Sequence, residues 1–249
     1  MAIYPQILGI YSLERKTSIG SGATADQYQQ KTYWYVRRMG DDEYEVQPLN
    51  KSHVPSGMKS SLAKSEFISG YTPEPKYYEA NTLPVLISLK KKIEKGEEYF
   101  DKGLLDESER EFLKALMIDE LNVEANFGLG TVYCEKKEFR KLKKVMDILL
   151  NTDAAFQEEQ RQRFNKLGIN LRKQGLHEDA IRYYSKSLEY NDSDDHLHFN
   201  AARAYFDNGQ HDKCLEHLGI ALKLNPEFKE AEKFMSYCLK KAPLVEKIL

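Results

Sequence analysis

Small and aromatic residues recur at a regular interval between residues 89 and 239. In four successive segments, a small residue that would allow two helices to cross closely is followed three positions later by tyrosine or leucine. The small residues are Gly96, Gly130, Gly168 and Ala202, and they are 34, 38 and 34 residues apart. Each segment continues into a second cluster of small and apolar residues. The pattern therefore predicts a pair of amphipathic helices in each segment.

This pattern resembles the tetratricopeptide repeat (TPR), a 34-residue helix–turn–helix unit. Glycine marks the turn at Gly103, Gly175 and Gly209, whereas the second segment has Lys137 there. The resemblance implies a mainly α fold, a right-handed α-solenoid of TPR helix pairs. The implied parts are repeats at about 89–122, 123–160, 161–194 and 195–228, followed by a polar capping helix at 229–241, with Pro243 expected to end that helix.

The spacing between the second and third repeats is four residues longer than the others, which is about one helical turn. We expect the next helix to start early, near Phe156, with Asp153 as its N-cap. The alternative is a longer loop through residues 151–155.

The first 84 residues have a different composition from the repeats. They contain six of the eight prolines, nine of the sixteen tyrosines and the only tryptophan, Trp34. We therefore divide the chain near Pro84 into a small β-containing N-terminal module, 1–84, and a TPR solenoid, 85–249.

Within this module, aromatic and β-branched residues at 33–38 and 44–46 flank a Gly-Asp-Asp turn, which is typical of a β-hairpin. We expect a third strand at 7–13, a loose loop at 15–30, a short helix at 60–68 and an extended segment at 72–78. So small a sheet is marginal alone. The module is expected to pack on the first repeat or to pair with another chain.

Charge and cysteine content narrow the functional classes. The net charge is −2 and the pI is near 6.3, which argues against nucleic acid as a partner. No apolar run is long enough to span a membrane, and the first residues lack the pattern of a signal peptide. Three cysteines, all within predicted repeat helices, indicate reduced thiols in a cytoplasmic protein.

We find no arrangement of residues that indicates catalysis or a cofactor. The glycine-rich segment 18–24 lacks the lysine of a phosphate-binding loop and is expected to be flexible. The set His211, Cys214 and His217 could converge on a metal, but a core cysteine beside solvent-facing histidines is favoured. A basic segment at 136–144 is interpreted as a solvated helix face. The sequence thus predicts a protein that is not an enzyme and that has no metal or cofactor.

In the TPR family the first helix of each pair lines a concave groove. Carried over by position, the groove residues here are Ile93, Glu97, Phe100, Glu124, Phe127, Thr131, Asn165, Ile169, Arg172, Phe199, Arg203 and Phe206. Apolar side chains would form its floor, with acidic residues towards one end and Arg172 and Arg203 towards the other.

These features predict an adaptor or scaffold that binds a partner's peptide or helix, with an acidic end lying towards the two arginines. The alternative is a structural protein that assembles with itself through its N-terminal strands and the ends of its solenoid. A ligand-binding or enzymatic N-terminal module is a third, weaker hypothesis.

Overall fold

A computed structural model of the protein describes residues 4–19 and 26–245. The described residues form two compact units. The first contains the chain up to Glu98 together with Arg110–Asn122, and the second contains Tyr99–Glu109 together with the chain from Val123 onward.

The first unit contains an antiparallel sheet whose strand order is β4-β3-β2-β1-β5. Its strands are β1 (Gln6–Ile19), β2 (Asp26–Arg38), β3 (Glu43–Pro48), β4 (Ser60–Ala63) and β5 (Tyr71–Pro73). The predicted β2–β3 hairpin and the predicted third strand are both confirmed.

The prediction of a loose loop at 15–30 is wrong for the residues that the structure describes. Strand β1 continues to Ile19 and β2 begins at Asp26, and the two remain paired as far as Ile19 and Asp26. Polar composition misled the prediction, because backbone hydrogen bonds between the two strands do not depend on side-chain polarity. Most of the glycine-rich segment 18–24 lies outside the described residues.

A small apolar core covers one face of this sheet. Val36, Tyr44 and Val46 pack against Phe67, which comes from helix α1 (Lys64–Gly70). The helix expected at 60–68 is therefore correct only from Lys64, because residues 60–63 pair with β3 as strand β4.

The segment after β5 was expected to be extended, and this expectation is wrong beyond Pro73. Pro75 occupies the first position of a short helix, α2 (Pro75–Tyr77), where its missing N–H costs nothing. A π-helical turn at Tyr78–Thr82 then leads into α3 (Leu83–Asp101).

The N-terminal residues of the first unit pack on the end of the first repeat. This was one of the two predicted alternatives, the other being pairing with another chain. The Asn50 side-chain amide donates a hydrogen bond to the Ile118 carbonyl (2.9 Å). The Ser56 hydroxyl donates to a carboxylate oxygen of Asp119 (2.8 Å). Burial at this junction raises the pKa of Asp119.

Helix pairs follow the predicted repeats. The remaining helices are α4 (Leu105–Leu116), α5 (Val123–Glu135), α6 (Phe139–Leu150), α7 (Arg161–Lys173), α8 (His177–Leu188), α9 (Asp195–Asp207), α10 (His211–Leu224) and α11 (Lys229–Val245). The last of these continues past Pro243, so the predicted stop is wrong. A proline removes one backbone hydrogen bond but does not force the helix to end there.

The early helix expected near Phe156 is also wrong. The extra residues form two 3₁₀ turns, Asp153–Phe156 and Glu158–Gln160, separated by an extended Gln157, and α7 begins only at Arg161. Asp153 does not cap a helix. Its carboxylate instead accepts a hydrogen bond from the Tyr190 hydroxyl, so the extra turn is anchored by a side chain that lies just beyond the C-terminal end of α8.

The small residues of the first helices make room for bulky side chains of the second helices. A Cβ atom placed on Gly168 would lie 2.5 Å from the Tyr184 hydroxyl oxygen, and one on Gly96 would lie 2.7 Å from the Phe112 ring. Such distances are too short for non-bonded atoms, so only glycine permits these helix crossings. The turn position taken by Gly103, Gly175 and Gly209 has positive φ, and Lys137 adopts the same conformation at φ 56°.

We predict that Gly168→Ala destabilises the protein by about 1–3 kcal/mol, because the new methyl group must displace the buried Tyr184 ring. The matched control is Gly219→Ala on α10, where an added Cβ meets no atom within 4 Å. That variant should be neutral or stabilising by up to about 1 kcal/mol. Urea denaturation of both variants measures the difference, and equal stability would contradict this account of the helix crossing.

Candidate functional site

Two rows of predicted groove residues lie on neighbouring helices of the second unit. Helix α7 carries Asn165, Ile169 and Arg172, and α9 carries Phe199, Arg203 and Phe206. Within each row the residues are four and three positions apart, so each row follows one face of its helix. All six side chains are partly exposed, and α7 packs on α9. The structure therefore brings this half of the predicted groove together.

The two arginines of this face are in different electrostatic states. The Arg172 guanidinium forms an ion pair with Asp207 at 2.6 Å. Arg203 forms no ion pair within 4 Å among the described residues, and its guanidinium lies 5.6 Å from the centre of the Phe199 ring. Burial, and then the positive charge of Arg172, lower the pKa of Arg203. Arg203 is thus a half-buried cation that lacks a carboxylate of its own.

Helix α11 adds aromatic side chains that were not predicted as site residues. Phe206 contacts the rings of Phe234 and Tyr237, with centroids 5.4 and 5.6 Å away, and Phe234 also contacts Phe199. The Tyr237 side chain remains 47% exposed. Tyr237 follows Arg203 by one 34-residue repeat, so the same spacing that located the groove could have located it.

Three of the predicted groove residues are in the interior. Phe127 is 1% exposed, Thr131 is 5% exposed and Ile93 is 4% exposed. Helix α5, which carries the first two, is buried along nearly its whole length and on all sides. Phe127 and Thr131 therefore do not form an open floor, because α5 is enclosed by its neighbours, and Ile93 on α3 is buried as well.

Phe100 and Glu124, two of the three remaining predicted residues, have partners within the second unit. The Lys166 ammonium lies 4.5 Å from the centre of the Phe100 ring, and Glu124 forms an ion pair with Arg163 at 3.3 Å. Glu97 is partly exposed on α3 and belongs to the first unit. The expected acidic end of the groove is thus partly neutralised at Glu124.

The residues of the metal hypothesis point to different partners. The His211 ring packs against Phe206, and Cys214 faces Cys238. Nδ1 of His217 lies 2.9 Å from Nδ1 of His198, whose Nε2 lies 2.9 Å from the Asp192 carbonyl oxygen. The His198 Nε2–H therefore donates to that carbonyl, and His217 donates to His198. Burial lowers the pKa of His217, which favours this neutral pair over a charged one.

The basic segment 136–144, which lies in the turn before α6 and in its first half, divides into two groups. Lys136 and Lys141 form ion pairs with Glu109 and Glu138. The other cations of the segment are exposed and make no ion pair among the described residues: Lys137, Arg140, Lys143 and Lys144. The opposite face of α6 is buried core. This arrangement fits the expected solvated helix face.

Comparison with known proteins agrees with the repeat pattern. Residues 171–241 match the family model described as Tetratricopeptide repeat. The match spans helices α8 to α10, with the end of α7 and most of α11, and so contains most of the face described above. No curated protein sequence matches the chain.

Several solved structures resemble the fold. A MamA protein is 19% identical with a TM-score of 0.49, and the match covers 64% of this chain and 85% of that one. MamA from Desulfovibrio magneticus RS-1 is 15% identical with a TM-score of 0.49, covering 63% and 86%. Pseudomonas aeruginosa PilF is 18% identical with a TM-score of 0.49, covering 63% and 69%. At these values no function is transferred from any of them.

Within residues 4–19 and 26–245, no helix combines the length and the apolar character needed to cross a lipid bilayer.

We predict a large loss of stability for one of the aromatic residues named above and a small change for another. Phe127→Ala should destabilise the protein by about 3–5 kcal/mol, because it leaves a cavity in the core. Tyr237→Ala should change stability by less than about 1 kcal/mol, because nearly half of that side chain is already in water. Thermal denaturation followed by circular dichroism distinguishes the two variants. A small loss of stability in Phe127→Ala would contradict its assignment to the core and favour the predicted groove position.

Proposed function

Starting from the tetratricopeptide repeats of residues 171–241, we propose that this protein is a non-enzymatic adaptor that binds a partner's peptide or helix. The binding surface is the face formed by α7, α9 and α11, hereafter the α7–α9–α11 face, and the partner segment carries acidic residues. TPR proteins are in general interaction modules, which favours binding over catalysis. The three buried free thiols suit a reducing compartment such as the cytoplasm.

Arg203 is the observation that carries this proposal. Its guanidinium is half-buried and lacks a carboxylate within 4 Å, although Asp207 is close enough to pair with Arg172. A partly desolvated guanidinium gains more from a carboxylate than one in bulk water does, because screening is weaker. Its planar fork can hold both carboxylate oxygens at once. An aspartate, a glutamate or a free C-terminus of the partner supplies such a group.

Aromatic side chains on the same face supply the apolar part of the contact. Phe199 and Phe206 line it from α9, and Tyr237 extends it from α11 with an exposed ring. Aromatic and arginine side chains are the residues that most often dominate binding energies at interfaces. The expected ligand therefore places an apolar side chain beside its acidic one.

We predict that the protein selects acidic peptides and that Arg203→Gln abolishes this selectivity. The probe is a library of short peptides in acidic, neutral and basic classes, each with one Leu or Phe, presented to the full-length protein. The variant should bind the acidic class about tenfold more weakly, because one desolvated charge-assisted contact is lost. Arg203→Lys, which keeps the charge but not the fork, should lie between the two.

The control is Lys223→Gln, which removes an exposed cation from the last turn of α10. It should bind the acidic peptides as the wild type does. Unchanged selectivity in Arg203→Gln, with its helical circular dichroism intact, would refute Arg203 as the anion receptor.

Self-association is a second candidate function, because two strands of the sheet extend beyond their neighbours. Strand β3 pairs with only Trp34–Arg38 of β2, and β5 pairs with only Tyr11–Leu13 of β1. In the described structure, residues 15–19 of β1 and 26–32 of β2 pair only with each other, so each of these segments has an open backbone edge. If these edges join two copies, light scattering of the full-length protein should give a mass that rises with concentration. A constant monomer mass would exclude this function.

A further inference from the structure

Two of the three cysteines face each other across a helix interface. Cys214 lies on α10 and Cys238 on α11, and both side chains are buried. Their Sγ atoms are 3.7 Å apart. Cys134, also buried, lies on α5 and has no other thiol beside it in the described structure. Cys214 and Cys238 therefore differ from Cys134, because each has a second thiol within contact distance.

The separation is close to that required for a covalent bond. A disulfide places its sulfurs about 2.05 Å apart, so the two sulfurs need to approach each other by less than about 2 Å. The two residues come from different helices and are 24 positions apart in sequence. A bond between them would therefore close a loop that contains the α10–α11 turn and most of both helices.

We propose that Cys214 and Cys238 are an oxidisable pair whose disulfide fastens α11 onto α10, with a low-molecular-weight disulfide as the oxidant. In the first step, one cysteine thiolate attacks a sulfur of the small disulfide and expels the other half as a thiol. In the second step, the remaining cysteine attacks the protein sulfur of the mixed disulfide and releases the second small thiol. The protein loses two electrons and two protons, which leave with the two small thiols.

The position of α11 controls access to this reaction. Burial raises the pKa of both thiols, so little thiolate exists while α11 is packed. In the described structure α11 packs on α9 and α10, while Tyr237 and Leu239 on its outer sides are about half exposed. A helix that is only partly enclosed opens more readily than one that is buried on all sides. The pair therefore stays reduced in the packed state and reacts during local opening of α11.

The disulfide would retain the helix that supplies Phe234 and Tyr237 to the α7–α9–α11 face. Oxidation then preserves the complete face by preventing α11 from separating. The chemistry itself does not depend on the proposed adaptor function, since it is detected by mass and by amide exchange. Failure of either hypothesis therefore leaves the other testable.

The test is to incubate the full-length protein with oxidised glutathione and measure the intact mass after alkylation. The expected product has lost two hydrogens and has one alkylatable cysteine, and peptide mapping joins Cys214 to Cys238. Amide exchange in α11 should slow by about tenfold or more, because opening is restricted. Cys134→Ala, the matched control, should oxidise as the wild type does.

Cys214→Ala and Cys238→Ala should each fail to form the bond and should leave α11 exchange insensitive to the oxidant. Stable glutathione adducts without the internal bond would overturn the proposal, as would complete resistance to oxidation. A bond that forms without slowing exchange in α11 would refute the fastening role. If one alanine variant fails to fold, the other variant and the mapped wild-type bond decide the result.

Discussion

The close contact between a glycine of one helix and an aromatic ring of its partner is the constraint on which the repeat architecture depends. At Gly168 the partner is Tyr184, and at Gly96 it is Phe112. The ring occupies the volume that a larger side chain would take, so the helices within a pair are held at close range. The Tyr184 hydroxyl is buried without a hydrogen-bond partner in the structure, which indicates that packing outweighs the cost of that unsatisfied group.

This inward packing also determines which side chains lie on the opposite faces of the first helices. Because apolar side chains of α7 and α9 are directed towards α8 and α10, the opposite faces carry Arg172, Arg203 and partly exposed aromatic rings. One carboxylate, Asp207, lies near two arginines and forms an ion pair only with Arg172. The resulting excess of positive charge is local, since the whole chain has a net charge of −2. Overall charge is therefore a poor guide to the chemistry of this surface.

Sequence reasoning predicted the helices well, because the 34-residue repeat combines spacing, small residues and turn residues at each position. It was less successful where the secondary structure of a segment had to be predicted from a single local feature. Polar residues in β1 and β2 indicated a loop, although pairing between the two strands supplies the backbone bonds. Pro75 indicated extended chain, but it begins α2, and Asp153 indicated a helix cap, but it bonds to Tyr190.

The sequence likewise predicted only part of the candidate site correctly. Position within the repeat placed Arg172, Phe199, Arg203 and Phe206 on partly exposed faces of α7 and α9. It could not show that Phe127 and Thr131 are enclosed, because burial of α5 depends on every neighbour that surrounds it. It also stopped short of α11, where Tyr237 occupies the position equivalent to Arg203. Tertiary packing, which no local pattern encodes, accounts for the first difference, whereas the repeat spacing applied one unit further would have found Tyr237.

Site-specific photo-crosslinking from α11 tests the central claim most directly. A photoreactive residue placed at Tyr237 in the full-length protein should crosslink to an acidic segment of a partner, identified by mass spectrometry. The same residue at Leu239, which is also exposed but lies two positions further along the helix and so on another side, should not. Equal capture from both positions, or crosslinked segments without acidic residues, would contradict the account of the α7–α9–α11 face as a binding surface.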